Sequence, residues 1–210
     1  MSLRPIPVLR GRNVELVPPT AEDDQAVADM RSHPETRRYL PFLPTTFTPD
    51  EARQMRENKD ADARYLDFRI HYITPSGPVF AGTCGLLHIN PENSSAEAGI
   101  IVCPEFHRTG LGTESLLLVL NYSFTTLKFH RISFETAHHN VQMRGWLENA
   151  LGIGLEYRLR EAWKSGSGWI DSVGYSILDR EWSDLKEKLE NRLRRPQLPS
   201  GPSVSAAGSI

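Results

Sequence analysis

Cysteine is scarce in this chain of 210 residues: Cys84 and Cys103 are the only two. Two are too few for a disulfide framework, so a stapled scaffold is excluded, and no metal site is expected. Each lies in an apolar, strand-like run, where a free thiol ordinarily packs as a small hydrophobe. Long apolar runs are missing as well. The longest, Leu116 to Leu120, falls far short of the roughly 20 residues of a membrane span, and the opening MSLRPIPVLR has no hydrophobic signal region. A cytoplasmic protein with no membrane partner is the expectation. Nor does one sign of charge dominate. The 24 Lys and Arg against 26 Asp and Glu leave a formal net charge of −2, too little positive field to hold a nucleic-acid backbone, so no nucleic-acid partner is expected.

What is present can fold. Hydrophobic residues make up 39 % and charged residues 24 %, a balance that buries a core, and the length suits one domain. That domain is placed over residues 8–195, after a short N-terminal extension (1–7). Residues 196–210 (PQLPSGPSVSAAGSI) carry neither charge nor aromatic ring and read as a disordered tail.

Along the domain, Asn13 to Pro18 reads as a strand stopped by two prolines. Thr20 reads as the N-cap of a helix that runs to His33-Pro34, with Ala26, Val27 and Met30 as its apolar stripe. Three prolines between Tyr39 and Pro49 forbid one regular helix there, and Thr48-Pro49-Asp50-Glu51 starts the next. Tyr65 to Ile73 and Val79 to Ile89 form a hairpin across Pro75-Ser76-Gly77, and Ala96 to Cys103 is a further strand. Gly110 to Leu127 reads as a long apolar helix and Arg131 to Thr136 as a strand, which predicts a parallel crossover. A helix over Val141 to Leu151, strands over Gly154 to Trp163 and Trp169 to Leu178, and a helix over Glu181 to Arg194 complete the chain. Trp182, Leu185, Leu189 and Leu193 mark the buried stripe of the last.

The most chemically informative stretch is Ile100 to Ser115. A strand passes through Pro104-Glu105-Phe106 into His107-Arg108-Thr109-Gly110-Leu111-Gly112-Thr113 and opens straight into a helix. Such a loop lays consecutive amides around an anion, with the positive end of the helix dipole behind them, and suits a phosphate or pyrophosphate. Glycines at these positions also serve where a strand and a helix merely pack closely. A Walker loop is ruled out, because no Gly-Lys-Ser or Gly-Lys-Thr follows a glycine at the required spacing. A dinucleotide turn fits poorly: Gly110 and Gly112 supply two glycines and Glu135 the distant acid, but Ser115 stands in place of the third glycine.

In this loop the chain resembles the Gcn5-related N-acetyltransferase (GNAT) superfamily, whose acetyl-CoA loop reads Gln/Arg-x-x-Gly-x-Gly/Ala after the fourth strand. Here His107 takes the first position. The resemblance extends over roughly residues 8 to 182 and is nearest to the ribosomal-protein alanine N-acetyltransferase (RimJ/RimL-like) branch. It is carried by Thr20-Ala21-Glu22-Asp23, His33-Pro34-Glu35, Tyr39-Leu40-Pro41-Phe42, Ala96-Glu97-Ala98-Gly99, Thr113-Glu114, Asn140, Leu147-Glu148 and Tyr175-Ser176-Ile177-Leu178. It implies an α/β acyl-CoA N-acyltransferase fold, a bent mixed sheet flanked by helices whose parallel fourth and fifth strands splay apart. The pantetheine arm of acetyl-CoA would lie in that splay against Ile101, Val102 and Cys103. The pyrophosphate would rest on the loop His107, Arg108, Thr109, Gly110, Leu111, Gly112 and Thr113, and Asn140 would contact the arm. The implied activity is direct transfer of an acetyl group to a primary amine, a protein N-terminus or a small amine, by a monomer or homodimer. Two departures favour the alternative of a non-catalytic acyl-CoA-binding or sensor domain: His107, and Met143 where the family often has a proton-donating serine. The helix-end string Leu147 to Ile153 also holds one residue more than the family's.

Acetyl transfer needs a neutral amine, a polarised carbonyl and a route for the proton. Glu97, on the fourth strand where the resemblance implies a glutamate, is the candidate base acting through water, and His138 and His139, just before Asn140, are candidate proton relays. Tyr39, Phe42, Trp163 and Trp169 offer apolar faces for the acceptor. Cys103 is assigned to packing rather than to acyl-enzyme chemistry.

Overall fold

The structure, a computed structural model, describes residues 5–166 and 168–194, so the tail expected over 196–210 lies outside the described residues. Among the described residues there are six α-helices: α1 (Asp24–Ser32), α2 (Pro34–Tyr39), α3 (Pro49–Ala61), α4 (Leu111–Asn121), α5 (Val141–Gly145) and α6 (Trp182–Arg194). The strands are β1 (Leu9–Arg10), β2 (Val14–Val17), β3 (Leu66–Thr74), β4 (Gly77–Asn90), β5 (Ser95–Val102), β6 (Arg131–Ala137), β7 (Tyr157–Ser165) and β8 (Gly168–Leu178). They form one mixed sheet in the order β1-β2-β3-β4-β5-β6-β8-β7. Every neighbouring pair is antiparallel except β5 and β6, which are joined by the expected crossover through α4.

Strand alternation sorts the side chains into two layers. Val14, Leu16, Phe68, Ile70, Leu86, Ala96, Ile132, Phe134 and Tyr175 face one side, where Leu116 and Leu120 of α4 and Leu185 and Leu189 of α6 close over them. Each large apolar side chain buried there contributes about 1.5–3 kcal/mol. The opposite face holds α1 and α3 through a much smaller apolar cluster, Val27, Ala28 and Ala52, backed by Phe47, Met55 and Phe80. Ion pairs supply the rest of that layer: Arg56 to Asp24 at 2.8 Å and Lys59 to Asp67 at 2.9 Å. Ile6, inside the expected N-terminal extension, packs against the main core. No helix among the described residues is long and apolar enough to cross a membrane, and no cluster of metal-binding side chains occurs among them.

Several boundaries depart from the sequence reading for local reasons. Thr20 makes no capping bond, because the chain first turns through a 3-10 segment, Ala21–Asp23, before α1 begins. Helix α2 is not signalled by the sequence pattern. Pro34 presets its first turn and the His33 ring accepts a hydrogen bond from the Glu35 amide, an unusual cap that propensity does not announce. Thr48 and Glu51 do form the reciprocal cap of α3. Helix α4 stops at Asn121 and passes into a π turn, Tyr122–Thr126, where the Ser123 and Thr125 hydroxyls donate to the carbonyls of Val119 and Asn121. Helix α5 is likewise short and widens into a π turn, Trp146–Leu151, closed by Gly152 at φ 77°. A π turn holds one residue more than an α turn, which accommodates the extra residue in this string.

Glu114, buried in the first turn of α4, bolts this helix to the opposite end of the sheet. Its carboxylate accepts from the Arg12 amide, from the Asn13 amide at 2.9 Å and from Asn13 Nδ2 at 3.1 Å. A Cβ at Gly11 would collide with the same carboxylate. Glu114→Ala leaves these donors without their acceptor and is expected to cost about 2–3 kcal/mol, a fall of roughly 5–10 °C in Tm by thermal denaturation.

Candidate active site

The parallel pairing of β5 with β6 lasts for three residue pairs only, Ser95 with Arg131, Ala96 with Ile132 and Glu97 with Ser133. Beyond Glu97 the strands part. On its other edge β5 stays paired with β4 as far as Val102 opposite Gly82, and β6 stays paired with β8 as far as Ala137 opposite Ser172. The result is a wedge between Ala98–Val102 and Phe134–Ala137. Cys103 N donates to Ala81 O at 2.9 Å, which places Cys103 and Ile101 in the register that bonds toward β4. By alternation, the backbone groups of Ala98, Ile100 and Val102 aim into the wedge. Of the three residues expected to present backbone there, Val102 does so, while Ile101 and Cys103 have theirs turned to β4. His107 reaches back and donates from Nε2 to the Val102 carbonyl at 3.1 Å.

At the wide end of the wedge the chain makes a 3-10 turn, Pro104–Phe106, and then a tight bend. Arg108 takes φ 63° and Gly110 φ 84°, so the bend uses two left-handed residues in a span of three. Thr109 Oγ1 donates to Phe106 O at 2.7 Å and holds the bend. Gly110 caps α4, whose first-turn amides have no intrahelical acceptors and point outward with the positive end of the dipole. The two glycines differ. Gly110 is required by its backbone conformation, whereas a Cβ at Gly112 would make only ordinary contacts with Val102 and Ile100. Close strand-to-helix packing therefore does not account for the glycine at 112. Thr113 accepts from Trp146 Nε1 at 3.1 Å, tying the loop to the helix after β6. These residues suit a pyrophosphate: the amides of Arg108, Gly110, Gly112 and Thr113 have no acceptor among the described residues and a helix starts behind them, while the amides of Thr109 and Leu111 donate to Phe106 O and Thr109 Oγ1, each at 3.4 Å.

Glu97 points to the opposite face, away from α4, at the apex where the strands part. It lines a cavity of about 650 Å³ with Pro41, Phe42, His88, Glu135 and Trp163. Phe42 meets Trp163 edge-on, with ring centroids 5.3 Å apart, so the loop after α2 and the β7–β8 hairpin form two aromatic walls. Burial raises the Glu97 carboxyl above the ordinary range; a hydrogen bond from His88 Nδ1 at 3.1 Å opposes that shift, and the neighbouring Glu135 charge adds to it. Tyr157 donates to Glu135 at 3.3 Å and packs its ring where a Gly174 Cβ would otherwise stand. Its phenol is pushed up to about 12, by burial first and then by the Glu135 charge. The cavity thus brings two carboxylates, Glu97 and Glu135, together between aromatic walls, with Lys164 also in its lining.

The other candidates lie around this centre rather than in it. Neither His138 nor His139 lines the Glu97 cavity. His139 donates from Nε2 to the Arg38 carbonyl, and its ring lies 6.1 Å from Tyr39, which links α2 to the loop after β6. Burial and the charges of Arg158 and Arg144 hold the His138 imidazole below its usual range. Asn140 caps α5: its Oδ1 accepts from the Met143 amide and its Nδ2 donates to Thr136 Oγ1. Trp169 is 60 % exposed and stands apart from the cavity, unlike Trp163. Cys103 is buried, and its thiol is pushed up to about 12 by burial and the nearby Glu105, as suits packing. Sequence reasoning passed over His88 and Glu135 as site residues. Strand alternation on the predicted β6 was the available signal for Glu135, while His88 sits at a bulge with φ 52° that no pattern announces.

The profile of a family described as Acetyltransferase (GNAT) domain matches residues 13–150. An uncharacterized N-acetyltransferase p20 of Bacillus licheniformis is 26 % identical over 162 residues, 77 % of this chain and 90 % of that protein. A putative acetyltransferase from T. thermophilus superposes with a TM-score of 0.76 at 28 % identity, covering 92 % of this chain and 100 % of the other. A GCN5-related N-acetyltransferase from Brucella melitensis gives a TM-score of 0.76 at 25 % identity, covering 95 % and 92 %.

Proposed function

The chain belongs to the GNAT acetyltransferase family, and we propose on that premise that it moves an acetyl group from acetyl-CoA directly to a primary amine, a protein N-terminus or a small amine. The observation that carries this reading is the wedge itself, with a bare-amide helix start at one end and a paired-carboxylate cavity at the other. The loop Arg108 to Thr113 would hold the pyrophosphate, and Val102, Ile100 and Ala98 would bond the pantetheine arm. Bound there, acetyl-CoA supplies an activated acyl group. His107 must release the Val102 carbonyl or share it when the arm enters.

On the acceptor side, Glu97 and Glu135 draw a protonated amine into the cavity, between the Phe42 and Trp163 rings and with Lys164 also in the lining. An ammonium is not a nucleophile, so its proton must leave first. Glu97, raised above the ordinary carboxylate range, is better matched to that proton than an exposed glutamate and can take it directly or through one water. The RimJ/RimL-like resemblance favours a peptide N-terminus as acceptor, and the two buried free thiols suit a reducing cytoplasm.

Purified protein incubated with acetyl-CoA and a panel of peptides, amino acids and amines should release CoA and yield an N-acetylated product with at least one acceptor class. CoA binding without turnover across the panel would instead support the non-catalytic acyl-CoA-binding sensor.

A further inference from the structure

The face of β3 that lies under α1 and α3 holds more positive charge than its carboxylates balance. Arg69 stands there with its side chain 0 % exposed. Its Nη1 donates to Asp67 Oδ2 at 2.9 Å, but the other oxygen of that carboxylate is taken by Lys59 Nζ, also at 2.9 Å. Arg31, in the last turn of α1 and stacked over Phe47, draws on the same group. Burial pushes its guanidinium down, Asp67 pulls the other way, and the charge of Arg69 adds to the burial. Lys59 and Arg69 thus occupy both oxygens of Asp67, and Arg31 forms no ion pair among the described residues. The next acids are committed elsewhere, Asp24 to Arg56 and Asp23 to His71.

The donors left over have a definite shape. Arg69 Nε and Nη2 are buried with no acceptor among the described residues, and so is Arg31 Nε. Nε and Nη2 form the side edge of a guanidinium, the fork that grips both oxygens of a planar carboxylate. Arg56 uses that edge on Asp24, at 3.0 and 2.8 Å. On Arg69 the same fork is empty-handed in the interior, where polar groups are nearly always satisfied and an unbalanced charge is costly. Water can fill a donor's valence but cannot neutralise the charge.

We propose that Arg69 and Arg31 bind a carboxylate-class oxyanion between β3 and α1. The placement connects the site to the acceptor side. Arg69 is in register with Thr83, which is in register with Ile101, so it shares the sheet face that carries Glu97. Arg31 precedes α2 and the Tyr39 to Phe42 segment that walls the cavity. The carboxylate therefore has two possible sources: a free anion that firms the base of this wall, or the acceptor's own carboxylate. The second source rests on the transferase reading; the anion site does not.

Thermal denaturation of the full chain tests it, with acetate exchanged for chloride at constant ionic strength. A saturable rise in Tm is expected, about 3–6 °C at ten times the Kd, and Arg31→Gln and Arg69→Met should each remove it. No saturable difference between acetate and chloride, or a rise that survives both substitutions, overturns the site and leaves water as the partner of these donors. Turnover then separates the sources. Acceptors with a free carboxylate should show a KM at least about tenfold below their amides, lost in Arg31→Gln, if the acceptor supplies it. Equal KM values alongside the acetate-dependent Tm rise assign the site to a free anion.

Discussion

Replacing Gly110 with Val should abolish measurable CoA binding in calorimetry while the chain stays folded. Gly110 holds φ 84°, a conformation that a β-branched residue adopts only under strain of about 1–3 kcal/mol. That is less than the about 5–15 kcal/mol by which a domain is ordinarily stable, so the main core survives and the bend relaxes. Relaxation would rotate the amides that precede the first turn of α4, and the charge-assisted bonds proposed there to the pyrophosphate would be lost together. Gly112→Ala is the control. Its Cβ would meet Val102 and Ile100 at ordinary distances and needs no positive φ, so Tm should stay within about 1–2 °C of the parent. Unchanged CoA affinity in Gly110→Val would remove the loop from the binding site.

Glu97→Gln should lower kcat by about 10²- to 10⁴-fold with little change in CoA affinity, the range for losing a general base. The pH profile makes the assignment specific. A base works deprotonated, so activity should fall on the acid side through the Glu97 pKa, which burial places above the ordinary carboxylate range. The neighbours move that limb in opposite directions. Glu135 raises the Glu97 pKa by repulsion, so Glu135→Gln should shift the limb to lower pH. The hydrogen bond from His88 lowers the pKa, so His88→Ala should shift the limb to higher pH. Activity that survives Glu97→Gln but falls in His138→Ala or His139→Ala would transfer the proton to the loop imidazoles. Survival in all three would leave transfer by proximity, with an amine already neutral in solution.

The two expected results draw on different kinds of information. The glycine bend was legible in the chain because it is local: Gly110 and Gly112 lie two residues apart at a strand-to-helix junction, and the covalent chain brings their amides together. The Glu97 cavity is assembled from β4, β5, β6, the loop after α2 and the β7–β8 hairpin, and no spacing along the chain records that. Hence Glu97 is legible only through the family resemblance, while its tuning by Glu135 and His88 is not legible at all. Similarly, His138 and His139 are adjacent to Asn140 in sequence, but the turn after β6 directs His139 to α2 and Asn140 to the cap of α5.

By itself the sequence determined the class of fold and the position of the glycine bend before α4. Hydrophobic periodicity and turn residues act over short spans, and the crossover between β5 and β6 follows from one apolar helix between two strands. Even the short π turns are local, set by Ser123, Thr125 and the extra residue before Gly152. Tertiary structure alone decided where β5 and β6 part. Pairing stops after Glu97 because each strand remains held on its far edge, β5 by β4 and β6 by β8, and those two edges diverge. That divergence leaves the backbone of Ile100 and Val102 unpaired with β6 and places Glu97 and Glu135 at one apex. Packing of α1 and α3 on the same sheet leaves Arg69 buried and sharing its one carboxylate, Asp67, with Lys59.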